Sequence, residues 1–438
     1  MNAPKKIGLM ACTAIVAGNM MSSGIAMLPA TLAAVGSVTV YSWIITIIGA
    51  LGLAYVFARL GLEDPQGGGP VAYSQKVAPI LGFQAQTLYF HANWIGNVAV
   101  GVTSVSYLSQ IVPVLQNPII SGIAVIVMTW LLILINLMGA HWIGRLASIG
   151  VIFVILPVAA TAIFGWWHFD QSIFLANWNT SGKPELPALI SGVLLCIWSF
   201  IGIESASVDT DLVEKPSRNV PLSTIGGTLL AAILYILSCT VIMGLFPAAN
   251  IAKSNAPFSL AVATIFNMPL MGNIVALFTA VACFCSFGSW IMLVAQIGVR
   301  AAKDGNLPKI FGETNAHDVP VKGMVMTGIF MTVLMVILTL YHQSTQAVFS
   351  EIISIAVLLT VLPYFYSALY LIEITEHTRR GFLRFLAAAL TVIFCFAAFF
   401  GGSAGALIGT LVLSLGILVF YAKAHPVILG HEQPSQNK

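Results

Sequence analysis

The sequence predicts an all-α polytopic membrane protein with twelve transmembrane helices. Three observations carry that reading. Of 438 residues, 58% are hydrophobic and 8% are charged, with a mean hydropathy of +0.96. A soluble domain carries about a quarter charged residues. Apolar runs also recur along the whole chain, at about 7–32, 38–60, 83–112, 119–139, 146–167, 188–210, 223–246, 273–300, 324–341, 349–372, 383–400 and 403–421. Crossing ~30 Å of hydrocarbon takes ~20 helical residues, so each run can be one span. Finally, the 18 Lys and Arg residues divide between alternate connections. One set holds only Lys183 and Lys253, and the other holds the remaining sixteen. Positive charge marks the cytoplasmic side, so both termini are expected there.

Taken in order, Met1–Lys6 is short and basic, and the apolar run behind it is too long for a signal-peptide core. It is expected to stay as the first span. Pro65-Gln66-Gly67-Gly68-Gly69-Pro70 is a cytoplasmic loop able to dip into a cavity. Pro113–Asn117 and Gly401–Ala404 are short external turns, whereas Asp211–Val220 and Ala301–Val321 are polar cytoplasmic connections. The expected organisation is a single transmembrane domain over 1–424 and a cytoplasmic tail over 425–438. All six cysteines fall within apolar runs and read as packing residues, with no metal site and no cofactor expected.

The first run carries Ala17-Gly18-Asn19-Met20-Met21-Ser22-Ser23-Gly24-Ile25 at its centre. Small and polar residues there weaken helical bonding where lipid offers no substitute, so a break is expected within this stretch. The sixth run has the same character over Cys196–Ser207 and also carries Glu204. Runs one and six each open a block of five, giving two repeats over about 7–167 and 188–372, with extra helices over about 383–421. Interrupted helices at matching positions of inverted repeats mark the substrate site of a large transporter class. Freed N–H groups favour a carboxylate and freed carbonyls an ammonium, so two crossed breaks suit an amino acid or an amine.

A charge at the bilayer centre costs at least ~2.5–3.5 kcal/mol, so Glu204 is expected to face a polar pathway. It is a candidate for substrate attraction and for coupling to protons. Trp198 and Trp290 lie away from the interfacial belts and can stack on a cation or close a cavity. Tyr89, Asn93 and Asn97 are spaced i, i+4, i+8 on one face, whereas His91 lies off that face and reads as structural.

These residues resemble the basic amino acid/polyamine antiporters of the amino acid–polyamine–organocation superfamily. Within that superfamily the resemblance is to the bacterial branch exchanging lysine for cadaverine. It covers nearly the whole chain. It rests on Ala17-Gly18-Asn19-Met20-Met21, His91-Ala92-Asn93-Trp94-Ile95-Gly96-Asn97, Trp198–Ala206, Arg218-Asn219-Val220-Pro221, Ala301-Ala302-Lys303-Asp304-Gly305 and Leu362-Pro363-Tyr364. It implies a LeuT-like five-plus-five inverted repeat with two extra helices. It also implies that Asn19, Met20, Ser23 and Gly24 contact the substrate carboxylate and α-amine, and that Trp198 and Ile201 line the pocket. Trp290 would cover the substrate side chain, Tyr89 would close the outer side, and Glu204 would serve recognition and pH response. Tyr73, Tyr235 and Asp304 match positions tied to transport. Three positions depart from the pattern: Ser22 stands where a glycine is usual, Phe90 replaces a tyrosine, and Asp209-Thr210-Asp211 looks more like the ornithine/putrescine branch.

The expected function is exchange of an external cationic amino acid, foremost lysine, for cadaverine across a bacterial inner membrane, in support of acid resistance. Ornithine/putrescine exchange, histidine/histamine exchange and proton-coupled amine uptake stand as alternatives, and an amine channel or transceptor is the different class. Expected partners are these small molecules and the lipid bilayer, with a homodimer left open. No enzyme constellation and no nucleic-acid module is present in the sequence.

Overall fold

The computed structural model describes residues 8–64, 69–137, 142–204, 213–315, 319–341, 344–375 and 379–424. Among them the regular structure is helical, which satisfies the backbone within each segment where lipid offers no partner. The helices are α1 Leu9–Ala26, α2 Leu28–Ala33, α3 Thr39–Glu63, α4 Gly69–Val77, α5 Pro79–Leu108 and α6 Pro118–Leu137. They continue with α7 Trp142–Phe164, α8 Gln171–Ala176, α9 Glu185–Trp198, α10 Pro216–Leu245, α11 Ala248–Ala252 and α12 Pro257–Ile265. The last five are α13 Pro269–Lys303, α14 Val321–Tyr341, α15 Thr345–Glu373, α16 Arg379–Gly401 and α17 Ala404–Ala424. Proline in the first turn opens α5, α10, α12 and α13, where its missing N–H costs nothing. The N-cap Ser344 accepts from Ala347 N–H to open α15.

Seven described helices are long and apolar enough to cross a membrane: α3, α6, α10, α13, α14, α15 and Gly381–Gly401 within α16. The 30-residue α5 is not among them. Gln84, Gln86, Asn93 and Asn97 interrupt its apolar surface and are drawn inward instead.

Helices from the two halves of the chain pack in pairs: α3 on α10, α5 on α13 and α6 on α14. The late helices sit outside this set, α16 against α3, α9 and α15, and α17 against α15 and α5. Polar contacts gather at two ends. At one end Asn177 accepts from Ala248 N–H, Asn255 donates to Ser109, and Gln346 donates to Asn255. At the other, Tyr370 donates to Asp64, Gln86 to Asp304, and Arg384 pairs with Glu63.

The first helical break differs from expectation. The backbone stays helical through Gly18, Ser22, Ser23 and Gly24, and α1 ends at Ala26 with Met27 as its cap. Glycine costs a helix only ~1 kcal/mol, and proline ~3. Pro29 has no N–H to donate to the Ile25 carbonyl; Met27 N–H takes that acceptor, and α2 restarts at Leu28. The second break falls within the expected stretch. After Trp198 the chain turns through Ser199–Glu204, and Gly202 sits at φ +106, a conformation open to glycine. Residues 205–212, including Asp209-Thr210-Asp211, lie outside the described ones, as do Pro65–Gly68.

Candidate functional site

The two breaks touch. Ser199 Oγ donates to the Gly24 carbonyl at 2.8 Å, and a Cβ on Gly24 would stand 3.2 Å from Ser199 Cα. The Ser199 carbonyl in turn accepts from Tyr235 Oη at 3.2 Å. The Ala26 carbonyl, freed where α1 stops, accepts from Tyr107 Oη at 2.7 Å. Side chains therefore already engage carbonyls that the breaks expose.

Beside this junction lies a cavity of about 50 Å³ lined by Met20, Gly24, Ala92, Asn93, Gly96, Asn97, Val100, Trp198, Ile201, Trp290, Ala356 and Thr360. It has room for a few waters, each needing roughly 10–15 Å³. No side chain in this wall is ionised. Its polarity comes from amides, indoles and one hydroxyl. Thr360 Oγ1 is spent on the Ala356 carbonyl at 2.8 Å. Asn93 Nδ2 donates to the Tyr89 carbonyl at 2.7 Å, which leaves Asn93 Oδ1 as an acceptor. Asn97, 2% exposed, has no partner among the described residues for either amide atom, and neither does Trp198 Nε1. Buried polar groups are almost always paired, so these two leave the cavity wall with hydrogen-bonding capacity that a polar guest can use. Gly96 makes room for this arrangement, since a Cβ there would stand 3.0 Å from the Trp198 ring.

Glu204 is buried but is not part of this wall. Its Oε1 accepts from Tyr89 Oη at 2.9 Å, and its Oε2 from Tyr364 Oη at 2.7 Å and Gly202 N–H at 3.2 Å. The carboxylate thus ties α5 and α15 to the second break. Opening a path between these elements requires that these bonds part.

Of the residues singled out from sequence, Met20, Gly24, Asn93, Asn97, Trp198, Ile201 and Trp290 come together around the cavity. Tyr89 and Glu204 stand behind it as a bonded pair. The side chains of Asn19, Ser22 and Ser23 lie outside the described ones. Tyr235 is not in the cavity wall; it packs on Trp43 and Phe200 and reaches the junction through its bond to the Ser199 carbonyl. Asp304 caps α13 and accepts from Gln86 at 2.8 Å. Tyr73 lies on α4, stacked on Tyr370 at 6.2 Å. Burial first, then Asp64 and Tyr370 nearby, push its phenol above the ordinary range. His91 accepts from Trp94 Nε1 away from the cavity. Ala92, Gly96, Val100, Ser199, Ala356, Thr360 and Tyr364 also belong to these surroundings; Ala92, Gly96, Ser199 and Tyr364 stand in the motifs that carry the resemblance, without an assigned role, and Val100, Ala356 and Thr360 stand in none. The spacing 92, 96, 100 on the face beside Asn93 and Asn97 was the available signal.

Residues 7–429 match the family model described as amino acid permease. The chain belongs to the amino acid permease family. It is 48% identical over 430 residues to the cadaverine/lysine antiporter of Escherichia coli strain K12, covering 97% of this chain and 96% of that protein. It is 33% identical over 417 residues to the putrescine transporter PotE of the same strain, covering 94% of each. A PotE from Haemophilus influenzae is 34% identical over 363 residues, 83% of each chain. The family and these relatives are permeases and antiporters, and this permease is accordingly a multi-pass membrane protein.

Proposed function

We propose that this permease exchanges an external cationic amino acid, lysine, for its decarboxylated product cadaverine at the cavity beside the two helix breaks. The observation that carries this is the wall itself, where the Asn97 amide and the Trp198 N–H stay unpaired beside the Gly24–Ser199 junction. The choice of substrates follows the antiporter 48% identical to this chain. Two aromatic walls, Trp198 and Trp290, suit a cationic chain between them.

The reading includes twelve spans in a LeuT-like arrangement, the repeats being about 7–167 and 188–372. The pairing of α3 with α10, α5 with α13 and α6 with α14 supports it, because those helices hold the same ordinal place in each half. The sixteen-to-two charge split supports cytoplasmic termini, and helical spans suit a bacterial inner membrane. Decarboxylation inside consumes a proton, and exchange of lysine for the more positive cadaverine removes net charge. The cycle therefore raises internal pH and supports acid resistance. Bound substrate must lower the crossing barrier that holds the empty carrier in place.

The test is uptake of labelled lysine, ornithine, arginine and histidine into proteoliposomes preloaded with each cognate amine. Cadaverine is expected to drive lysine uptake. Ornithine uptake driven by putrescine alone would favour the second reading, which the PotE relatives support. Flux without substrate on the far side would replace an exchanger with a channel.

A further inference from the structure

Connections at one end of the bundle hold unequal sets of bonds, and the inequality says where that end parts. The short helix α11 leads through residues 253–256 into α12, which packs on α13. On one flank α11 is knotted to α2. Asn177, 5% exposed, donates to the Met243 and Phe246 carbonyls at 2.8 Å each and accepts from Ala248 N–H at 2.8 Å. The backbone around Asn177 runs against the end of α2: Ser37 N–H donates to Asn177 O, Val38 N–H to Trp178 O and Thr180 N–H to Val35 O. Thr180 Oγ1 adds a bond to the Ala33 carbonyl at 2.7 Å. Gly36, at φ +113, lies so close that a Cβ would stand 2.6 Å from the Asn177 carbonyl.

The other flank is held through side chains, among them Tyr107 Oη of α5, which accepts from Phe258 N–H at 3.5 Å at the start of α12. Gln346 Nε2, in the first turn of α15, is shared among Asn255 Oδ1 at 2.7 Å, the Ser254 carbonyl at 3.2 Å and the Lys253 carbonyl at 3.5 Å. Asn255 Nδ2 donates to Ser109 Oγ at 3.0 Å, at the end of α5. Gln346 is half-buried, so water can replace its bonds as it leaves. Asn177 is enclosed and its bonds are not so easily exchanged.

We propose that the Gln346–Asn255–Ser109 clasp is the outer seal of the substrate cavity, and that α11 with the 253–256 linker travels with α2 and parts from α15 and α5 when the cavity opens outward. This rests on the transporter reading and on these connections facing outside. α15 is then common to two closures, by Gln346 at its outer end and by Tyr364 on Glu204 further along.

The test introduces Ala356→Cys on the cavity wall and follows its modification in intact cells by a charged, membrane-impermeant thiol reagent. Adding Gln346→Ala or Asn255→Ser is expected to speed modification severalfold over Ala356→Cys alone. Thr180→Val, which loosens only the knot, is expected to leave the rate unchanged. Two clasp variants guard against one failing to fold, and surface expression is measured for each. Unchanged rates in both clasp variants, or equal acceleration by Thr180→Val, would overturn the proposal. Lysine exchange by the wild-type protein in proteoliposomes reports separately on the transporter reading.

Discussion

Ser199 Oγ donates to the Gly24 carbonyl at 2.8 Å, so the end of one interrupted helix is bonded to the other. The glycine is what permits this approach. Gly24→Ala puts a methyl 3.2 Å from Ser199 Cα and is expected to cut exchange severalfold. Gly24→Val is expected to abolish it, with protein still present in the membrane. Ser199→Ala removes one bond, about 1 kcal/mol, and should be milder. Initial exchange rates normalised to protein amount check the order.

Asn97 and Trp198 are separable. Asn97→Ala removes both unpaired amide atoms and is expected to raise the KM for lysine about tenfold, the worth of roughly 1.4 kcal/mol. Trp198→Phe keeps an aromatic wall and loses only the N–H, so a smaller rise is expected. Gly96→Ala drives a methyl to 3.0 Å from the Trp198 ring and should impair binding without touching a polar group. Substrate titration of exchange in each variant distinguishes the three.

Among the donors to Glu204 are Tyr89, Tyr364 and Gly202, and the two tyrosines come from different helices. Tyr364→Phe and Tyr89→Phe each remove one bond to a carboxylate, worth about 1.5–3 kcal/mol. Either is expected to loosen closure, while Glu204→Gln weakens all three bonds together and slows exchange most. Comparing turnover with KM checks this, because closure affects turnover before affinity.

Tyr73 supplies a prediction about pH. Its pKa is raised, mainly by burial, so the folded protein holds the proton more tightly than the unfolded chain. The stability contribution is complete below the ordinary tyrosine value of about 10 and is lost as pH rises beyond it. Between pH 5 and 8 the phenol does not ionise. Tyr73→Phe, which deletes an Oη with no partner, is expected to leave the exchange pH profile in place. Tyr73→Ala removes the ring stacked on Tyr370 and should reduce transport at every pH.

The site was legible where chemistry is written in residue type. Asn93 and Asn97 on one helical face, and two tryptophans far from the interfaces, mark the cavity by residue type and spacing alone. The position of the first break was not legible in the same way. The small and polar residues from Gly18 to Gly24 remain helical, and the break at Met27 comes just ahead of Pro29, whose missing donor outweighs several weak helix formers. Ser199, Ala356 and Thr360 carry no signal of their own, because their roles come from distant parts of the chain meeting at one place. Gln346 and Asn255 are separated by 91 positions and meet only in the fold.

The central claim is that substrate sits beside the junction of the two breaks. An experimental structure of the protein saturated with cadaverine tests it directly. Density is expected between Trp198 and Trp290, with an ammonium within hydrogen-bond reach of Asn97 Oδ1 or Asn93 Oδ1, in a cavity widened beyond its present 50 Å³. Density elsewhere in the bundle, with this cavity unchanged while the same preparation exchanges lysine, would contradict it.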